Sequence, residues 1–484
     1  MNVLLIKPSG LAFHNFSVTQ PLGLMYLASY LRKDDPRRHH IRIADLRLSS
    51  SSPDVLADIA REFRPDVVGI SALTMEARGL HHAAATVKAM CPDCRVVAGG
   101  PHPSVFYEQT LADAHIDCVV LGEGEITFKE LVQAFEQRSD FHAVKGIAFR
   151  DGQSIRKTAP REFIQNPDTI PFPAWDLIDP DAYYRVCGET PLGRRRYMAM
   201  FTSRACPYRC TYCQTLFGKG FRPRSPENVL EEIDLLHRRY GIEWLDIEDD
   251  IFNHDPRRVD RICDMIIERG YRIRMAFPNG LRSDRLEKQT LDKLHAAGTR
   301  LIAFAVESGS DRIQTLIRKN LQIAKVREAI AHAASLGIFC VGFFMMGFPT
   351  ETERDMEATV RFAVRSRLHV ADFLIVVPFE GTDIFEESRK KLENRLVDFD
   401  DYNYMRSRFN LSVVPDAGLT RILRKASRQF YLNPIRLVRI AYRYLWLGNL
   451  RDMLTYGFGV FWNMFLKTSR QSRPRREGEP WGRG

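Results

Sequence analysis

No secretory leader precedes the apolar run at residues 3–6 of this 484-residue chain, and its nine cysteines are an odd number that disulfide pairing cannot absorb. A reducing, cytoplasmic setting is expected. The first strand-to-helix turn lacks GxGxxG, which counts against dinucleotide binding. The uncharged run 453–466 has fourteen residues, fewer than the roughly 20 that a spanning helix needs. Excess charge is also missing from most of the chain. Residues 420–484 hold 14 Lys and Arg against 3 Asp and Glu, so of the overall +10 the remainder contributes −1. A nucleic-acid enzyme would spread basic residues along a channel, so nucleic acid is not the expected partner; a local acidic surface suits the tail. With 45% hydrophobic and 27% charged residues, the composition excludes disorder and a multi-span membrane protein. The length suits two or three domains with sizeable cores.

What the chain does contain is the run Ser203-Arg204-Ala205-Cys206-Pro207-Tyr208-Arg209-Cys210-Thr211-Tyr212-Cys213, following an apparent strand. A structural zinc site takes four closing ligands, and a disulfide framework belongs to a secreted chain. Three thiolates at CxxxCxxC spacing suit a 4Fe-4S cluster with one iron left open. The other reading is three core cysteines that are neighbours by chance. Cys91-Pro92-Asp93-Cys94 has a redox or metal spacing, but it falls in a helix-to-strand turn without further ligands and reads as a pair of turn thiols.

Between 2 and about 140, short apolar runs at 3–6, 41–44, 67–71, 95–98 and 118–121 alternate with amphipathic stretches, the pattern of a doubly wound parallel α/β sheet. Ligands of such sheets lie at the carboxyl ends of strands. The candidate binding residues there are Ser71, Gly99, Gly100, Gly122 and Glu123, where glycines let backbone approach a large ligand. Residues 136–195 read as a connector, with a hairpin at Asp151-Gly152 and then Pro167, Pro171, Pro173 and Pro180. From 196 to 385, strands are expected at 197–202, 244–247, 273–277, 301–306, 339–345 and 373–377. Six βα units make an open, partial barrel whose strand ends form the active face. Those ends carry Glu248-Asp249-Asp250, Asn279-Gly280, Glu307-Ser308, Gly347 to Glu351 and Pro378 to Thr382. Residues 386–484 read as a helical region with a basic amphipathic tail.

The cysteine run, with an aromatic before its last cysteine, resembles the signature of the radical S-adenosylmethionine (SAM) enzymes. Residues 1–135, including Gln20-Pro21-Leu22-Gly23-Leu24-Met25-Tyr26, resemble the cobalamin (B12)-binding domain that precedes the radical domain in one subfamily, the class B methyltransferases and porphyrin oxidative cyclases. The resemblance implies a Rossmann-like cobalamin domain followed by a (β/α)6 radical SAM barrel. It implies a cluster on Cys206, Cys210 and Cys213 whose open iron chelates SAM, and reductive cleavage of SAM to a 5'-deoxyadenosyl radical. By the same likeness Glu248 and Asp249 lie near the SAM amino group, Glu307 and Ser308 near its ribose and carboxylate, and Gly347 near adenine. Ala205 and Gln214 depart from the glycine and proline common at those positions, without removing a ligand. Arg204 and Arg209, if near the anionic cluster, would favour its reduced form.

The activity implied is C-methylation of an unactivated carbon of a hydrophobic or natural-product substrate, with an electron donor such as flavodoxin or ferredoxin. Cobalamin-dependent oxidative cyclisation or rearrangement is the enzymatic alternative, and a non-catalytic cobalamin or SAM sensor is the remote one. Methylthio transfer fits less well, since no amino-terminal cluster domain is found. In the tail, Ile435, Val438, Tyr442 and Leu445 recur at helical spacing opposite Arg436, Arg439 and Arg443, followed by the aromatics Tyr456, Phe458, Phe461, Trp462 and Phe465. Either peripheral contact with an anionic membrane or a helical cap on the barrel with solvated arginines would use this pattern. The motif DxHxxG, which supplies a lower cobalt ligand in other cobalamin proteins, does not occur in the first domain. Electron paramagnetic resonance of the bound cob(II)alamin should therefore show no nitrogen splitting from a protein imidazole, and such a splitting would refute the reading.

Overall fold

The apolar runs of the first domain are buried on both faces and therefore form parallel strands. In the computed structural model, which describes residues 1–10, 18–48, 54–186, 190–192, 195–392, 399, 402 and 409–447, these are β1 (Asn2–Lys7), β2 (His40–Asp45), β3 (Val67–Ser71), β4 (Arg95–Gly99) and β5 (Cys118–Val120). They pair in the order β2-β1-β3-β4-β5. The hairpin expected in the connector forms on schedule as β6 (Ile147–Asp151) and β7 (Ser154–Lys157), but it belongs to this sheet. It extends the sheet antiparallel beyond β5, with Cys118 opposite Phe149 and Val120 opposite Ile147. The physical reason is that β5 is buried along its length, so its backbone needs a partner that water cannot replace.

The second sheet contains β8 (Tyr197–Met200), β11 (Trp244–Ile247), β12 (Arg274–Leu281), β13 (Thr299–Glu307), β14 (Phe339–Met346) and β15 (Val370–Ile375), parallel and in sequence order. A short ribbon of β9 (Ser203–Arg204) and β10 (Arg222–Pro223) brackets the cysteine loop. The last strand starts three residues before the expected 373, because Val370 packs into the barrel interior with Phe339, Val341 and Leu301. The outer face of the sheet buries Met198, Met200, Leu245 and Ile247 under amphipathic helices such as Pro226–Tyr240 and Pro256–Arg269.

A partial barrel leaves two strand edges, and each is capped by a side chain from outside the barrel. On β8 the Gln20 amide acts as one more peptide: its Nε2 donates to Tyr197 O (3.1 Å) and its Oε1 accepts from Ala199 N (3.0 Å). On β15 the Tyr431 hydroxyl accepts from Ala371 N (3.2 Å) and donates to Ala371 O (3.1 Å). The edges are thus closed to foreign strands. The connector is pinned to the second domain through Trp175 Nε1, which donates to Glu232 Oε1 (3.2 Å), and through Arg222, which donates to Ile164 O (2.7 Å).

The carboxyl-terminal helices Asp416–Tyr431 and Pro434–Leu447 pack against the barrel. The second of them reverses the expected cap, in which arginines are solvated. Arg436 is 3% exposed, and its guanidinium donates to Leu368 O (2.9 Å) and Val364 O (2.7 Å) while stacking on Phe430 at 3.5 Å. A fork of donors can satisfy the carbonyls ahead of β15 in a way that an apolar side chain cannot. The Leu445 side chain and the run 453–466 lie outside the described residues. Among the described residues no helix is long and apolar enough to cross a membrane.

Replacing Gln20 by alanine removes the side-chain hydrogen bonds to Tyr197 O and Ala199 N, at about 1 kcal/mol each. Thermal denaturation should show Gln20→Ala melting several degrees lower.

Candidate functional site

At the carboxyl ends of β3, β4 and β5 the chain forms a pocket of about 970 Å³, counting its open mouth. All five binding residues expected there line it together: Ser71, Gly99, Gly100, Gly122 and Glu123. Gly100 has φ +90°, and a Cβ there would lie 2.7 Å from Ser71 Oγ, so backbone forms the pocket wall where a side chain could not. Gly122 N is held by donation to Ser104 Oγ (3.1 Å). The remaining wall comes from the second domain through Phe201, Ser203, Arg204, Phe217 and Asp250. No histidine is among the described lining residues. His115, which follows Asp113 in a partial version of the missing motif, precedes β5 at the opposite end of the sheet and is bonded to Asp113 (2.7 Å). A bulky, mostly apolar group with its own polar periphery fits such a cleft.

A buried ion-pair cluster joins the two walls. Arg204 pairs with Glu125 at 2.5 Å and with Glu123 at 3.3 Å, and Arg222 pairs with Glu123 at 2.7 Å. Burial alone would lower the pKa of Arg204, but Glu125 and Glu123 outweigh it and the guanidinium is held above its ordinary value. Glu123 was expected to face a ligand. It lines the pocket, but its carboxylate is spent on these arginines and on Ile164 N (2.9 Å).

Two residues after Arg204 the cysteine loop begins. Ala205, where glycine would be unstrained, sits at φ +66°. Cys206 and Cys210 are half-buried and Cys213 is exposed, with Cys213 N donating to Cys210 O at 3.2 Å to close the turn. No three His, Cys, Asp or Glu side chains among the described residues converge on the single point that one ion requires. A 4Fe-4S cube is bound differently, each thiolate on its own iron, and three thiols on one short turn beside the barrel rim supply that donor set. The cationic neighbours of this loop differ from those expected. Arg204 is engaged with Glu123 and Glu125, and Arg209 is exposed. Lys319 takes their place: its Nζ lies 2.7 Å from Glu307 Oε1 and 3.3 Å from the Tyr212 hydroxyl. Burial opposes its charge, yet Glu307 and then Cys210 hold its pKa above the ordinary lysine value. Lys319 sits in a turn without any sequence pattern, so only the fold reveals it.

The carboxylates and hydroxyls expected around SAM do gather at this rim, but several are already bonded. Asp249 accepts from Thr202 N (2.5 Å), Thr202 Oγ1 (2.6 Å) and Ser203 Oγ (2.7 Å), which anchors the strand leading into the cysteines. Its neighbour Asp250, which the resemblance gave no place near SAM, is the exposed member of the run and lines the pocket. Asn279 donates to Glu248 O (2.8 Å), Ser308 Oγ bonds Thr359 Oγ1 (3.1 Å), and Glu307 lies at φ +64°. Gly347, at φ +94°, donates its N–H to Glu351 Oε2 (2.6 Å). Glu351 also accepts from Phe348 N (3.1 Å); burial raises its carboxyl pKa to about 8 against those bonds. Away from the rim, Cys91 and Cys94 are free thiols in a turn, and burial pushes Cys94 up to about 11, which suits a structural role.

Residues 200–363 match the Radical SAM superfamily and residues 11–132 match the B12 binding domain. An uncharacterized methyltransferase of Pyrococcus horikoshii is 32% identical over 422 residues, covering 87% of this chain and 89% of its own. The anaerobic magnesium-protoporphyrin IX monomethyl ester cyclase of Cereibacter sphaeroides is 27% identical over 91% of this chain and 72% of its own. Among solved structures, the radical SAM methyltransferase TsrM from Kitasatospora setae, with cobalamin and a [4Fe-4S] cluster bound, superposes with TM-score 0.67 at 18% identity. That superposition covers 82% of this chain and 76% of TsrM, and it shows a shared fold.

The bonds of Asp249 give it a positioning role that a SAM-binding role would not predict. Asp249→Ala removes the acceptor of Thr202 N and Thr202 Oγ1, at about 1–3 kcal/mol each, while Ser203 Oγ keeps Ile251 O at 3.2 Å. Iron content after anaerobic reconstitution should fall with the variant; unchanged iron with weakened SAM binding would restore the SAM-contact assignment.

Proposed function

We propose that this chain, which belongs to the B12-binding radical SAM family, methylates an unactivated carbon of a hydrophobic or natural-product substrate. It is a cobalamin-dependent radical SAM enzyme acting on a small molecule. The reading rests on one observation: the glycine-walled pocket of the first domain is completed by Phe201, Arg204, Phe217 and Asp250, which flank the loop that carries Cys206, Cys210 and Cys213. When bound, the cluster supplies electrons for cleavage of SAM and cobalamin carries the methyl group. The chain's own residues set the geometry. Ser71, Gly99, Gly100 and Gly122 admit the large cofactor, the arginine–glutamate cluster fixes it beside the cysteine loop, and Phe201 and Phe217 exclude water from the space between. Lys319, held by Glu307 at 2.7 Å and facing the Tyr212 hydroxyl, is the buried cation of the cysteine loop's surroundings. A small acidic electron donor such as flavodoxin or ferredoxin would reduce it.

Oxidative cyclisation is the second reading, favoured by the alignment of the protoporphyrin cyclase over 91% of the chain. Product stoichiometry separates the two. Anaerobically reconstituted protein with candidate acceptors should yield one 5'-deoxyadenosine and one S-adenosylhomocysteine for each methylated product. Deoxyadenosine without S-adenosylhomocysteine would select cyclisation, and formation of neither would leave a sensor. Cys206→Ala, Cys210→Ala and Cys213→Ala should lose the brown chromophore and SAM cleavage, while Cys263→Ala, in the core behind the sheet, should keep both.

A further inference from the structure

The final helix Pro434–Leu447 is docked inside out. Arg436 is buried against the carbonyls of residues 364 and 368, and the Arg443 guanidinium reaches Gly337, so that a Cβ there would lie 2.9 Å from its Nη1. Ile440 joins them against the layer of Phe339, Val341 and Val370 at the amino-terminal ends of β14 and β15. This leaves an apolar stripe facing out: Ile435, Val438 and Tyr442 are 71%, 70% and 62% exposed, with Leu432 and Leu437 beside them. Their spacing of three and four residues places the three on one side of the helix. Five large apolar side chains within eleven residues are an exposed patch that a free surface does not retain without use.

We propose that this helix lies on an anionic membrane surface, with Ile435, Val438 and Tyr442 in the headgroup boundary. Two observations choose a membrane over other occupants. The patch is embedded in the part of the chain that holds all its excess charge, 14 Lys and Arg against 3 Asp and Glu in residues 420–484. The preceding helix Asp416–Tyr431 presents Arg421 and Arg424 at its surface, with Lys425 paired to Glu357 at 3.3 Å. Apolar insertion next to excess positive charge is the pairing that anionic lipid rewards. The chain then continues into the uncharged, aromatic-rich run 453–466, whose composition suits the same interface. The consequence for function is geometric. The helix sits under the amino-terminal ends of the strands, whereas the cysteine loop and the pocket lie at their carboxyl ends, so the contact tethers the enzyme with its active rim turned away from the lipid. It stands whether or not the methyl acceptor is itself a lipid.

Flotation of the full-length protein with phosphatidylcholine vesicles, with and without about one-third phosphatidylglycerol, tests this at low salt. Wild type should float with the anionic vesicles, and Ile435→Asp/Val438→Asp should bind them at least tenfold less. The double variant should keep its melting temperature and its iron content, since both side chains are mostly exposed. Equal flotation of the two proteins, or none by wild type, overturns the proposal. A large fall in melting temperature in the variant would show that the chain itself covers the stripe, and conversion of a wild-type dimer to a monomer would show a second copy there; either result also overturns it.

Discussion

Four charged side chains buried between two domains set the relation on which the chemistry depends. Glu123 and Glu125 follow β5 at the glycine-rich rim of the first sheet, and Arg204 and Arg222 stand on the ribbon that brackets the cysteine loop. Buried charges are expensive to desolvate, and removing one partner typically costs about 3–5 kcal/mol because its mate is left uncompensated. The cluster is therefore poor as a source of net stability and strong as a source of specificity. The four groups pair across the boundary between the glycine-rich pocket of the first domain and the ribbon of the cysteine loop.

The same dependence appears at the barrel edges. An open six-stranded sheet would expose backbone donors and acceptors on β8 and β15, yet here Gln20 supplies the missing peptide on one side and Tyr431 on the other. Both come from outside the barrel, one from the first domain and one from the carboxyl-terminal helices. The six-stranded sheet is left open. Neighbouring elements, rather than ring closure, provide its hydrogen-bond satisfaction.

Much of this could be read directly. Strands buried on both faces announce themselves as apolar runs, so the first sheet and the rim residues Ser71, Gly99, Gly100, Gly122 and Glu123 were legible, and spacing alone marked Cys206, Cys210 and Cys213. What failed were inferences about which way a side chain turns. Arg204 and Arg209 are near the cysteines in sequence, but Arg204 has carboxylates 79 and 81 residues away in the chain and turns to them. Asp249 was expected near SAM, and in the structure the donors of Thr202 and Ser203, just ahead of the cysteines, converge on it. The final helix has an amphipathic pattern whose simplest reading buries the apolar stripe. The carbonyls of Val364, in the last turn of the helix Glu353–Arg365, and of Leu368 need donors, and that tertiary demand, invisible in the final helix's own sequence, turned Arg436 inward.

The central claim is that the pocket and the cysteine loop hold their two cofactors next to each other across one cavity. Electron paramagnetic resonance of the holoprotein with cob(II)alamin bound and the cluster chemically reduced tests it most directly. If the two paramagnetic centres share that cavity, the cobalt signal should broaden and relax faster when the cluster is reduced than when it is oxidised. A cobalt signal that is identical in both states, in protein loaded with both cofactors, would contradict the account.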